Sequence, residues 1–148
     1  MADLLLVLCT GNICRSPMAQ AVLARELGNS WQVESAGIGA LVGEGMDEKA
    51  VVALAAVGLE LPEHRARQVD AEMLRRAALV LTMETRQKDA LERSYPWIKG
   101  RAFRLGHWDG MDVDDPYRRS QEIFYHTLRV IEDCARSWSA KLAGMVLA

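Results

Sequence analysis

Apolar residues fall into two kinds of pattern along the chain. Residues 4–9 (LLLVLC) and 78–82 (ALVLT) are nearly continuous apolar runs of strand length, the signature of strands buried on both faces of a parallel sheet. Residues 32–35 and 102–105 carry weaker strand patterns. Elsewhere apolar positions recur at helical spacing. A helix is predicted from Ser16, with Ser16 as N-cap, Pro17 in its first turn and Gly28 as its stop. Others are predicted over 47–57 (Asp47 as cap, Gly58 as stop), over 70–76, over 84–94 and from Ser120 to about Met145. The last shows Ile123, Phe124, Leu128, Ile131, Cys134, Trp138 and Leu142 on one stripe. Strands alternating with helices predict an α/β fold with a parallel sheet and right-handed crossovers. Ligands of such sheets bind beyond the carboxyl ends of the strands, near a switch in strand order. The first strand ends at Cys9.

Composition narrows the possibilities. A chain of 148 residues, half of them hydrophobic, predicts a single domain over 1–148 with a core that needs no covalent staples. The formal net charge of -2 supplies no basic excess for a nucleic-acid partner. Three cysteines argue against a disulfide framework and for a reduced, cytoplasmic setting. The run at 4–8 is too short to span a membrane and follows Asp3, and the apolar tail 142–148 is also too short to anchor the chain. No membrane insertion is expected.

The chemistry concentrates in residues 9–17 (CTGNICRSP), between a strand and a helix. Successive loop amides can form an anion nest, and the helix N-terminus adds partial positive charge. Arg15 offers a planar fork that matches two oxygens of a phosphoryl group. Cys9 at the base of this cradle is a candidate nucleophile, its thiolate form favoured by the positive surroundings. Ser16 can donate a hydrogen bond to that sulfur. Gly11 permits close backbone approach, and Asn12 tolerates a left-handed conformation. The nucleotide-binding pattern Gly-Lys-Ser/Thr is absent. The three histidines and three cysteines show no metal-ligand spacing, so no metal or other cofactor is expected. Asp115, before Pro116, lies on a stiffened loop suited to aiming a general acid.

With these residues in place, the chain resembles the low-molecular-weight protein tyrosine phosphatases over nearly its full length. The resemblance rests on residues 9–17, Ser35-Ala36-Gly37, His64 to Gln68, Leu81 to Met83 and Asp115-Pro116-Tyr117. It implies an α/β fold with a four-stranded parallel sheet flanked by helices, flavodoxin-like and of the phosphotyrosine protein phosphatase I type. It further implies that Cys9 is the nucleophile, Arg15 the phosphate ligand and Asp115 the general acid. Thr10, Gly11, Asn12, Ile13 and Cys14 complete the phosphate loop, and Asn12, Ser16, Ser35 and His64 match positions that hold it by hydrogen bonds. Leu41, Tyr117 and Arg118 are expected on the substrate wall.

Residues 37–45, 105–110 and 115–120 further resemble a bacterial subgroup. Its members dephosphorylate the tyrosine-rich tails of autokinases in capsule or exopolysaccharide export, which implies such a phosphoprotein as partner, with inorganic phosphate and other oxyanions as inhibitors. Arg118 and Arg119 could meet an acidic tail or merely begin a helix. Cys14 could form a reversible disulfide with Cys9 or fill space. Trp108 is read as a loop core residue in preference to a rim contact, and Cys134 is expected in the core. Three rivals remain. An arsenate reductase of the same fold needs a relay of further cysteines, and 83–93 holds none. A sugar-transport phosphocarrier would leave Arg15 and Asp115 idle. A phosphotyrosine-binding module would bind without hydrolysis.

Overall fold

In the computed structural model, which describes residues 2–144, the continuous apolar runs form the centre of one sheet. Strand β1 (Asp3–Cys9) pairs with β2 (Trp31–Gly37) on one side and β3 (Leu79–Thr82) on the other, and β4 (Ala102–Arg104) lies outside β3. All pairings are parallel, in the order β2-β1-β3-β4. Alternation along β1 explains its composition. Leu5 and Val7 pack into a core beneath helices α1 (Arg15–Leu27), α2 (Glu48–Ala56) and α5 (Gln121–Ala143). Leu4, Leu6 and Leu8 pack on the opposite face, against Leu74 of α3 (Ala71–Arg76) and Leu91 of α4 (Thr85–Ser94). Both faces are covered, so no position from Leu4 to Leu8 carries a polar side chain, and the one charged residue of the strand, Asp3, sits at its exposed start.

The chain leaves β1 to build β2 on one side, then returns to build β3 on the other. The switch in strand order therefore falls beside the carboxyl end of β1, at Cys9, where the sheet rule places a ligand. Among the described residues no helix is long and apolar enough to cross a membrane.

Several expected boundaries shift. Strand β2 continues to Gly37 because Ala36 and Gly37 pair with Leu8 and Cys9. Helix α1 begins at Arg15, and Cys14 occupies its N-cap without a side-chain bond. Ser16 does not cap, because its hydroxyl is bonded to Cys9. Asp47, Asp70 and Ser120 do cap their helices, each accepting a hydrogen bond from a first-turn amide. The expected end of α5 near Met145, and the tail from 145 onward, lie outside the described residues. Trp108 is also corrected: it is 44% exposed, lying edge-on to the buried Trp138 with Lys141 over its ring. Cys134 is in the core as expected.

Candidate active site

The loop after β1 is built from the outside. Six successive carbonyls each accept a hydrogen bond from a surrounding group. Those of Cys9, Thr10 and Gly11 accept from the amides of Ile38, Gly39 and Leu41, at 2.9, 3.0 and 3.0 Å. That of Asn12 accepts from His64 Nε2 at 2.7 Å. Those of Ile13 and Cys14 accept from the amides of Asp47 and Met18 at 2.9 and 3.1 Å. In a trans peptide the N–H points opposite to the carbonyl, and none of the described peptides is cis. Turning these carbonyls outward turns the amides of residues 10–15 toward the centre of the loop. One of them, Asn12 N, already donates to Cys9 Sγ at 3.2 Å. Helix α1 adds its uncapped N-terminus, with no acidic residue in the first turn. The result is a cradle for an anion, with a sulfur at its base.

Asn12 is the strut of this loop. It is fully buried and left-handed, with φ of 59°. Its Nδ2 donates to Ser16 Oγ at 2.8 Å and Ser35 Oγ at 3.1 Å, and its Oδ1 accepts from Arg67 N at 3.0 Å. Ser35 Oγ in turn donates to Gln20 Oε1 at 2.7 Å. Ser16 Oγ, accepting from Asn12, lies 2.9 Å from Cys9 Sγ and 3.5 Å from the Ala36 carbonyl, so its single proton can point at the sulfur or at that carbonyl.

Arg15 is almost wholly buried. Its Nη1 donates to Glu84 Oε1 and to the carbonyl of Val113, both at 2.7 Å. Its Nη2 lies 3.8 Å from Asp115 Oδ2. Asp115 Oδ1 accepts from Tyr117 N at 3.0 Å. One carboxylate oxygen is thus fixed by the turn, and the other faces the arginine. Cys9, Thr10, Gly11, Ile13, Cys14, Arg15, Leu41, Asp115 and Tyr117 line one cavity of about 210 Å³ together with Gly39. Asn12, Ser16, Ser35 and His64 stand behind the loop and take no part in that lining. Arg118 stands outside it, with its guanidinium carbon 5.3 Å from the centre of the Tyr117 ring.

The expected close backbone approach is not at Gly11, where a Cβ would find its nearest neighbours at 3.7 Å. It is at Gly37, where a Cβ would lie 2.5 Å from the carbonyl oxygen of Thr10. Two supporting residues have no counterpart among the sequence expectations. Gln87 is buried, accepts from the amides of Met83 and Glu84 at 3.0 Å each, and donates to Thr10 Oγ1 at 3.0 Å. Glu84 clamps Arg15. The only sequence sign of Gln87 is its place three residues after the cap of a helix, where glutamine commonly reaches back to the cap amide. Nothing local marks Glu84, whose partner is 69 positions away.

Burial raises the Glu84 carboxyl, but hydrogen bonds from Arg15 and Arg86 outweigh it and hold the group below its ordinary value. Burial likewise opposes Asp112, which Arg104 and Thr85 hold low. Burial, helped by the charges of Asp47, Cys9 and Asp115, pushes the Cys14 thiol far up. Burial first, then the nearby Asp109, pushes Cys134 up to about 12. Cys9, Cys14 and Cys134 are all free thiols. Among the described residues no three His, Cys, Asp or Glu side chains gather as a metal-holding group.

Known proteins resemble this chain in sequence and in fold. The chain is 41% identical to the probable low molecular weight protein-tyrosine-phosphatase EpsP of Ralstonia solanacearum, over 145 residues covering 98% of this chain and 99% of the relative. It superposes on the tyrosine phosphatase Wzb from Escherichia coli K30 in complex with sulphate, with a TM-score of 0.90 and 38% identity, covering 96% of this chain and 99% of the other. YwlE arginine phosphatase from Geobacillus stearothermophilus gives the same TM-score at 30% identity, covering 95% and 93%. Residues 4–146 match the model of the low molecular weight phosphotyrosine protein phosphatases, and the chain belongs to that family.

Proposed function

We propose that the protein hydrolyses phosphotyrosine in proteins through a phosphocysteine intermediate. The observation that carries this reading is the placement of Cys9 Sγ, under an inward-turned ring of amides, in one cavity with Arg15 and Asp115. Arg15 and the amides hold the three equatorial oxygens of the phosphoryl group. The Cys9 thiolate attacks phosphorus as the bond to the phenolic oxygen breaks, and Asp115 delivers its proton to that oxygen. Water then attacks phosphorus and passes a proton to Asp115. The S–P bond breaks, and the returning thiolate is received by the Ser16 hydroxyl. The products are tyrosine and inorganic phosphate. Acceleration comes from positioning and from donors aimed where charge develops.

The cavity wall favours tyrosine. Ile13, Leu41 and the Tyr117 ring present apolar surface to a flat phenol, whereas a guanidinium would find only Asp115 as a counter-charge. The similarity to an arginine phosphatase makes this the point to test. Phosphotyrosine and phosphoarginine peptides should be compared with and without vanadate, beside arsenate reduction. Vanadate-sensitive release of phosphate from the phosphotyrosine peptide is expected. Preference for phosphoarginine, or binding without turnover, would overturn the reading. We further propose that residues 1–148 act as one domain in the cytoplasm, that phosphate and similar oxyanions inhibit competitively, and that the physiological partner is the phosphorylated tail of a tyrosine autokinase.

A further inference from the structure

Tyr117 and Arg118 occupy the centre of a tight turn in which Arg119 N donates to the carbonyl of Pro116 at 2.9 Å. Arg118 has φ of +65°, while Tyr117 is not among the positive-φ residues. This is the pattern of a type II turn, whose third position ordinarily calls for glycine. An arginine there is strained, and the turn cannot relax freely. Lys49 Nζ donates to the Arg119 carbonyl at 2.6 Å, and Ser120 is already the cap of α5. The Arg118 guanidinium lies over the Tyr117 ring, and that ring lines the cavity that also holds Cys9. Residues in sparsely populated conformations cluster where the constraint serves a function.

The charges around the mouth point to what Arg118 does. Arg15 and Arg86 are paired with Glu84, and Arg104 with Asp112. Among the described residues no carboxylate pairs with Arg118. It is a cation without a carboxylate partner, lying over the Tyr117 ring next to the cavity. The structure also separates the two arginines. Arg118 lies over the ring of Tyr117, a cavity-lining residue, whereas Arg119 bonds through its backbone, to Pro116 and Lys49.

We propose that Arg118 is a specificity residue that engages an anionic group next to the substrate phosphotyrosine, either an acidic side chain or a second phosphate. This rests on the phosphatase reading and deepens it, since the preferred substrate becomes a phosphotyrosine within an acidic or multiply phosphorylated stretch. Tyr117 would meet the substrate ring on its inner side while Arg118 holds the neighbouring anion outside.

The test compares kcat/KM for three phosphotyrosine peptides with neutral, glutamate or second-phosphotyrosine neighbours. The readout is the ratio of each anionic peptide to the neutral one, so it does not depend on the overall rate of any variant. For an exposed ion pair, the wild-type ratio should be about three- to fivefold at low ionic strength and should shrink as salt rises. Arg118→Gly should bring the ratio to about one with the melting temperature unchanged or raised, because glycine suits the turn. Arg118→Glu should invert it, and Arg118→Lys should retain part of it. The glutamate and phosphotyrosine series show which anion is favoured. Hydrolysis by the wild type with ratios unmoved by Arg118→Gly and Arg118→Glu overturns the inference and leaves the phosphatase reading standing. No hydrolysis of any peptide by the wild type overturns both.

Discussion

Asn12 offers the sharpest quantitative prediction. Replacing it with alanine removes three side-chain hydrogen bonds at once, to Ser16, Ser35 and Arg67 N. Two costs follow. A residue with a Cβ but no local polar group pays about 1–2 kcal/mol for the left-handed conformation at φ of 59°. Donors or acceptors left unpaired around a buried gap cost about 1–3 kcal/mol. Together they give about 3 kcal/mol, which for a chain of this length lowers Tm by about 10 °C. Asn12→Gly should recover about 1 kcal/mol of that loss, because glycine is at ease in this conformation although it orders more chain. The loop strut is missing in both variants. The Cys9 sulfur and the amides drift, and a misplacement of about 1 Å suffices for a loss of about 100-fold in kcat. Urea and thermal unfolding, run beside turnover of an aryl phosphate, give both quantities. If Asn12→Ala lost less than about 1 kcal/mol and kept its rate, Asn12 would not be the strut of the loop.

Three further outcomes follow from the geometry. The folded Glu84 carboxyl titrates low, so its contribution is fully present above the ordinary carboxylate value of about 4.3 and is lost as pH falls through the lower folded value. Acid unfolding of Glu84→Gln should therefore show a shallower loss of stability below that value than the wild type does, and Glu84→Ala, which strands the buried Arg15, should cost about 3–5 kcal/mol. Gly37→Ala should push the Thr10 carbonyl aside, costing about 1–3 kcal/mol and most of the turnover, as followed by melting and kinetics. An anionic alkylating agent such as iodoacetate should modify Cys9, with protection by inorganic phosphate. It should spare Cys14 and Cys134, whose thiols are buried and pushed up, and peptide mapping by mass spectrometry would read the sites.

The central strands were legible because burial on both faces leaves no room for a polar residue, as in LLLVLC of β1. The helix cap Asp47 was legible because it acts within one turn of its own position, and Asp70 and Ser120, read only as helix starts, cap their helices in the same way. Boundaries failed where tertiary pairing overrode local preference: Ala36 and Gly37 extend β2 because Leu8 and Cys9 lie beside them. Ser16 looked like a cap, but in the folded loop its hydroxyl meets Cys9 and Asn12. Arg15 stood out by its spacing from Cys9, whereas its partner Glu84 did not. Such a contact, made across 69 positions, leaves no periodicity to read. Gln87 reaches Thr10 across 77 positions and was hidden for the same reason. Trp108 shows the opposite failure. It was expected in the core, but the buried place is held by Trp138, which donates to the Leu105 carbonyl at 2.8 Å.

The proposed chemistry turns on a covalent bond between Cys9 and phosphorus. Acid quenching of the enzyme during turnover of a phosphotyrosine peptide, followed by peptide mapping by mass spectrometry, would detect it directly. A phosphoryl group on the peptide that contains Cys9, together with loss of turnover in Cys9→Ser, is the expected result. Turnover that survives in Cys9→Ser, or a phosphoryl group found only on another residue, would contradict it.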